Sequence, residues 1–234
     1  MKTDRILTIV GIFLTLPGFI AMFFTKDWSL PAMTMLLGLV VLIASLLVRI
    51  FVTLPPFTVI SHIVTVDFLD DYGRQARMRK EYVIRPNYGH LSSITFRNIA
   101  GDGRISKIAW NDEELPAEAV KRRMEEYVVT VTFHHTLPRW KEIRGVLSYE
   151  AADTFPERNE GMIYTPDFPT KTATLRVVFP ANRKFKSDSV GASKIEGTGE
   201  TRLKPPEISG DQKTIEVTLR RTRPGEEYSL FWEW

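Results

Sequence analysis

The sequence predicts an all-β sandwich, Ig-like or jelly-roll, preceded by an α-helical transmembrane hairpin. Three observations carry that expectation. Two long apolar runs fill residues 6–54. After residue 57, period-two alternation of apolar and polar residues recurs every dozen or so positions. Only one short stretch has a helical pattern.

Ile6–Phe24 and Leu30–Val48 are each nineteen residues without a charge, and the second run continues past Arg49 to Leu54. At 1.5 Å per residue each would give about 28 Å of helix, close to the thickness of a hydrocarbon core. The first run is too long for the apolar region of a secretory leader, and it ends in Met22-Phe23-Phe24, which resembles no small-x-small cleavage site. One continuous helix would strand Lys26 and Asp27 at mid-bilayer. The stretch TKDWS therefore reads as a turn between spans of about 6–24 and 30–54, with Trp28 as an interfacial anchor and Arg49 reaching for head groups.

A hairpin leaves both chain ends on one side. Lys2 and Arg5 precede it and Arg49, Arg74, Arg77, Arg79 and Lys80 follow, against Lys26 alone in the turn. The positive-inside rule then places the N- and C-termini in the cytoplasm of a bacterial cell, with the hairpin in the inner membrane. Pro17-Gly18 in the first span permits a kink, and Gly11, Gly38, Ala44 and Ser45 are small enough for close helix approach. No ionisable residue lies mid-span, which argues against a proton or ion transporter.

Pro55-Pro56 closes the second run, and residues 57–234 read as the β-domain. TVISHIVTVDF (58–68) sets Ile60, Val64, Val66 and Phe68 on one face. RMRKEYVI (77–84) groups Met78, Tyr82 and Ile84. SSITFRNI and RISKIAW flank AGDG as a hairpin, its turn at Asp102-Gly103. YVVTVTF (127–133) points Tyr127, Val129, Val131 and Phe133 inward. IRGVLSYEA, TATLRVVFP, KTIEVTLRR and EYSLFWEW bring the total to about nine or ten strands. PAEAVKRRMEE (116–126) is the one helical pattern. The C-terminal strand puts Tyr228, Leu230, Trp232 and Trp234 on one face, as core filling. No clear linker divides 57–234, so a single sandwich is expected over two small ones.

Composition narrows the chemistry. Four of the 31 basic residues and two of the 28 acidic ones fall in the first 54 positions, leaving the remainder a net charge of only +1. That is not the footprint of a polymeric nucleic-acid binder. The chain has no cysteine, which removes disulfides, thiolate metal sites and cysteine nucleophiles. His134 and His135 are adjacent on a strand and so face opposite ways, while His62 and His90 have no chelating spacing; no metal or other cofactor is expected. Asp67, Asp70 and Asp71 read as a solvated turn. GASKIEGTGE (191–200) lacks the phosphate-loop order and reads as a flexible connection between strands. No catalytic constellation is visible, so a non-enzyme is expected.

Basic clusters remain: Arg77, Arg79 and Arg85 share one parity of a strand, and others lie at 121–123, 183–186 and 220–223. Arginine forks beside aromatic rings suit phosphates and bases. The segment AADTFPERNEGMIYTPDFP (151–169), which carries Arg158, reads as a long recognition loop. Arg77, Arg79, Arg85 and Arg158 are the candidate ligand-binding residues.

Two apolar runs at Ile6–Leu54 followed by a compact β-domain resemble, in architecture, the membrane-anchored effectors of bacterial antiphage cyclic-nucleotide signalling, of the Pycsar and CBASS type. The resemblance implies a β-domain that binds a cyclic nucleotide, forms a homo-oligomer and drives its helices to disrupt the lipid bilayer. The alternative is a membrane-tethered protein-interaction or envelope module without catalysis.

Overall fold

The computed structural model describes residues 33, 36, 38–44, 55–87, 91–99, 103–123, 126–197 and 199–234. The chain divides into two compact units, Met1–Pro55 and Pro56–Trp234. In the first unit residues 33, 36 and 38–44 are helical.

The predicted architecture is corrected here. A membrane span needs about 20 consecutive apolar residues in helix. Among the described residues no helix is long and apolar enough to cross a membrane. The preceding transmembrane hairpin is therefore not supported, and neither is a multi-pass protein of the inner membrane with both termini cytoplasmic. Most of the expected spans, with Pro17, Gly18, Trp28 and Arg49, lies outside the described residues. What the structure supports is a β-rich fold.

Fifteen strands are described in the second unit. They are β1 (Phe57–Phe68), β2 (Gln75–Pro86), β3 (Leu91–Ile99), β4 (Arg104–Trp110), β5 (Glu113–Glu114), β6 (Val120–Arg123), β7 (Glu126–Leu137) and β8 (Ile143–Ala152). Then follow β9 (Asn159–Tyr164), β10 (Thr170–Val178), β11 (Gly191–Glu196), β12 (Gly199–Arg202), β13 (Glu207–Ile208), β14 (Thr214–Thr222) and β15 (Glu227–Glu233). An eight-stranded sheet runs β13-β14-β10-β1-β2-β8-β4-β5, with a four-stranded sheet β12-β11-β15-β9 and a three-stranded sheet β3-β7-β6. β1 and β10 pair in parallel, whereas β1 and β2 are antiparallel.

This is neither an Ig-like nor a jelly-roll sandwich. Instead of two matched sheets, one long mixed sheet contributes to two separate cores. Val64, Val66 and Phe68 of β1 join Leu175, Val177, Ile215, Leu230 and Trp232 in the first. Phe57 and Val59 join Ile84, Ile94, Phe96, Val129, Val131 and Leu147 in the second. The first core thus uses strands of the four-stranded sheet and the second uses strands of the three-stranded sheet. Each fully buried side chain of this size contributes about 1.5–3 kcal/mol by leaving water.

Strict alternation in β8, β10 and β15 produces their alternating burial. In β7, Val129 and Val131 are buried, with Tyr127 and Phe133 packed against them, as their parity predicts. β1 departs from its pattern. Val59 pairs with Ile84 but Ser61 pairs with Val83, so Ile60 is an extra residue in a β-bulge. The inward parity switches there: Phe57 and Val59 face in before it, and His62, Val64, Val66 and Phe68 after it. Ile60 is only half-buried, contrary to its expected place beside Val64.

Other expectations are corrected by tertiary pairing. The described residues 116–123 are not an α-helix: a single 3-10 turn at Ala117–Ala119 leads into β6, whose Val120 pairs with Val129. Ladder formation with β7 outweighs the weak local helix preference. β3 and β4 are not a hairpin, since β3 pairs with β7 while β4 pairs with β8 in another sheet. The segment at 191–200 is β11 running into β12, with Gly197 at φ +60° in the turn. The expected loop 151–169 contains β9, which pairs with the C-terminal strand. The turn after β1 is held by Asp70, whose carboxylate accepts from the backbone N–H of Tyr72 (3.1 Å) and of Arg74 (3.0 Å).

Candidate functional site

Between the two cores the inward faces of β1 and β2 turn polar. On β1 the bulge brings His62 inward, between Val59 of one core and Val64 of the other. On β2, Lys80 occupies the inward parity between Met78 and Tyr82 and is 8% exposed. The antiparallel register sets His62 against Tyr82 and Val64 against Lys80. The register with β8 sets Met78 against Tyr149. The end of β9 supplies Tyr164, and the connection to β10 supplies Asp167. That connection is anchored by Phe168, whose ring meets those of Phe57 (4.6 Å) and Phe96 (6.1 Å) edge-on.

The imidazole of His62 stacks on Tyr82, and its Nδ1 lies 3.0 Å from the Tyr164 hydroxyl. Its Nε2 and the Tyr82 hydroxyl are buried with no hydrogen-bond partner among the described residues. Burial, and then the charge of Lys80, push the His62 pKa well below its ordinary value, so the ring is neutral. Burial lowers the Lys80 pKa, opposed by the negative charge of Asp167. The Asp167 carboxyl is pushed up to about 6 by burial, against the pull of Lys80 and of Arg97. Burial raises the Tyr82 and Tyr149 hydroxyls above the usual phenol range and takes Tyr164 to about 12, so all three are neutral donors. The Nζ of Lys80 lies 6.0 Å from the Tyr149 ring centroid.

Beside this cluster is a cavity of about 320 Å3. Its walls include Lys80, Tyr149, Tyr164, Met78, Met162 and Phe155. Glu126 and Ile163 also line it and are exposed, so it opens to solvent. The volume falls in the range of small-molecule sites, which are mostly apolar with a few placed polar groups. A ligand there would meet sulfur, aromatic and aliphatic surface together with the polar side chains of Lys80, Tyr149, Tyr164, Glu126, Thr154 and Thr165.

The sequence-predicted arginines are elsewhere. Arg77 and Arg79 face outward from β2 and line an open cleft of about 410 Å3 with Lys107, Asp112 and Glu150. Their charges are met there: Arg77 pairs with Glu150 (3.5 Å), Lys107 with Glu150 (2.9 Å) and Arg79 with Glu81 (3.6 Å). The hydrogen bond from Lys107, together with the nearby Arg77, holds the Glu150 carboxyl below its ordinary pKa. Arg85 shares the parity of Arg79 but lies six residues on, about 20 Å along an extended strand. Arg158 donates from Nε to Glu233 at 2.6 Å, and Lys186 meets the same carboxylate. The four arginines do not converge. His134 and His135 are exposed on β7, and His90 lies outside the described residues. Among the described residues no group of three His, Asp or Glu side chains could hold a metal ion.

No protein-family model matches the chain, and no curated protein matches it. Among solved structures it is similar to an M1 zinc metallopeptidase from Deinococcus radiodurans, at 16% identity over 75% of this chain, with a TM-score of 0.41. The chain spans 42% of the length of that peptidase. It is also similar to a protein of Legionella pneumophila named as a nutrient-binding candidate, at 11% identity, 76% of this chain and 67% of the other, with a TM-score of 0.46.

Proposed function

We propose that residues 56–234 form a ligand-binding domain, whose site is the cavity beside Lys80. The ligand is a small organic molecule with an apolar body and one oxygen-bearing end. The observation that carries this reading is Lys80, a buried cation-forming side chain in the wall of a cavity whose other lining is mainly aromatic, thioether and aliphatic, with Glu126, Thr154 and Thr165 as the further polar side chains. The apolar walls favour a hydrocarbon or aromatic body, and the amine fixes its orientation by donating to a carboxylate or carbonyl oxygen. Nucleotide-signal sensing, implied by the architectural resemblance, requires the outward arginines instead, and those already have carboxylate partners.

The test is thermal melting of the full chain against three sets of compounds: aromatic and short-chain carboxylates, the matching carbonyl compounds, and cyclic mono- and oligonucleotides. The expected result is a rise in Tm with members of the first two sets. It should grow with ligand concentration, as linkage requires, and vanish in Lys80→Met. A rise with cyclic nucleotides alone, abolished by Arg77→Ala or Arg79→Ala and untouched by Lys80→Met, would overturn the cavity reading.

A further inference from the structure

From the placement of Lys80, Asp167 and the cavity, we infer that Lys80 is a nucleophile that captures a small aldehyde or ketone as an imine. This inference rests on the cavity being the ligand site and names the ligand class. Lysines of this type share three features: an amine held away from water, room beside it for a carbonyl compound, and a proton donor at hand.

All three occur together here. Lys80 is buried on the inward face of β2 and forms part of the wall of the 320 Å3 cavity, beside Met78 and Tyr149. Removal from water favours its neutral, nucleophilic form. Asp167 is close enough for its charge to be felt at that amine, and its carboxyl retains a proton up to about pH 6. The phenol of Tyr149, in the same wall, is a neutral donor able to orient the carbonyl oxygen, while the Tyr164 hydroxyl is engaged with His62.

The step balances without a further reactant. The lone pair of Nζ attacks the carbonyl carbon, the C=O π bond breaks, and one amine hydrogen ends on the oxygen to give a carbinolamine. The carboxyl of Asp167 then protonates that hydroxyl. The C–O bond breaks, water leaves and the nitrogen lone pair forms C=N. The products are an iminium at Lys80 that keeps one N–H, a carboxylate at Asp167 and one water. The charges formed are opposite and adjacent, which lowers the cost of creating an ion in a buried site.

The test uses the full chain at pH 6, where Asp167 still holds its proton in part, with benzaldehyde and cyanoborohydride, followed by mass analysis of its peptides. Reduction converts the imine to a stable benzylamine. The expected result is faster modification of Lys80 than of the exposed Lys121, Lys171 and Lys213, because burial favours its neutral amine. The exposed lysines of the same protein serve as the internal control. Labelling of Lys80 no faster than that of the exposed lysines would overturn the inference. Benzoate, which cannot form an imine, separates the two readings. If benzoate raises Tm while Lys80 goes unlabelled, the cavity reading stands and the imine fails; if neither benzoate nor benzaldehyde raises Tm, the cavity reading itself fails.

Discussion

The imidazole of His62 lies nearly flat on the phenol ring of Tyr82, with centroids 4.1 Å apart and planes inclined by 16°. Such a stack contributes about 0.5–1.5 kcal/mol beyond its buried area. It also holds the ring where protonation is costly. The folded pKa of His62 lies below the unfolded value near 6.5, so the unfolded chain takes up the proton first. The stabilisation from a neutral His62 is complete above about pH 6.5 and is lost as pH falls from there toward the depressed folded value. Denaturant titrations at pH 8 and pH 5 should show a smaller loss of stability in His62→Phe than in the natural chain. Equal losses in the two proteins would place the pH dependence on other groups.

Asp167 acts with the opposite sign. Its folded pKa of about 6 lies above the ordinary carboxylate value of 3.8, so the folded chain holds the proton longer. The stability linked to the protonated carboxyl is present below about pH 4 and is lost as pH rises through 6. Asp167→Asn removes this dependence. The stability of the variant minus that of the natural chain should grow between pH 4 and pH 7, by up to about 3 kcal/mol from a shift of about two units. A difference that stays constant across that range would contradict the burial assigned to Asp167.

Two turn glycines separate backbone strain from crowding. Gly73 has φ +74°, and a Cβ added there would meet the Phe155 carbonyl oxygen at 2.3 Å. Gly225 has φ +86° with nothing within 4 Å. Gly225→Ala should cost about 1 kcal/mol, from conformation alone. Gly73→Ala should cost about 2 kcal/mol or more, because backbone must also move. Equal unfolding midpoints for the two variants would refute the close approach at Gly73.

Arg77 offers a control on the surface. Its side chain is half exposed and its partner Glu150 keeps Lys107 when the arginine is gone. Arg77→Ala should change stability by less than about 1 kcal/mol and leave ligand-induced melting shifts unaltered.

Legibility in the sequence follows local periodicity. The core faces of β7 and β15 could be read directly, because nothing interrupts their alternation. Sheet membership could not: SSITFRNI and RISKIAW read as partners, yet the chain changes sheet between them. The candidate site was harder still. His62 shares the parity of Val64, Val66 and Phe68, but its place between two cores depends on the bulge at Ile60, and no residue type in FTVISHIV announces that bulge. Lys80 did carry a signal, a lysine at the inward position between Met78 and Tyr82. Asp167 lies in an aperiodic connection, and only the fold brings its charge to the amine. The arginines attract notice by type, but charge on an exposed face is answered by charge on the neighbouring strand.

The parallel pairing of β1 with β10 bears on how the chain is made. Every fully buried residue of the second core is synthesised by the end of β8, with Phe168 arriving later, so most of that half can collapse while the ribosome is still translating the rest. The other flank of β1 must wait, since Val59 meets Thr170 and Asp67 meets Val178. During that interval a long, apolar, uncharged strand edge from Val59 to Val66 is exposed to solvent and to neighbouring nascent chains. Such an edge is a template for intermolecular pairing. Slow codons placed between β8 and β10 are expected to lengthen that exposure and lower the soluble fraction on expression, without altering the finished molecule.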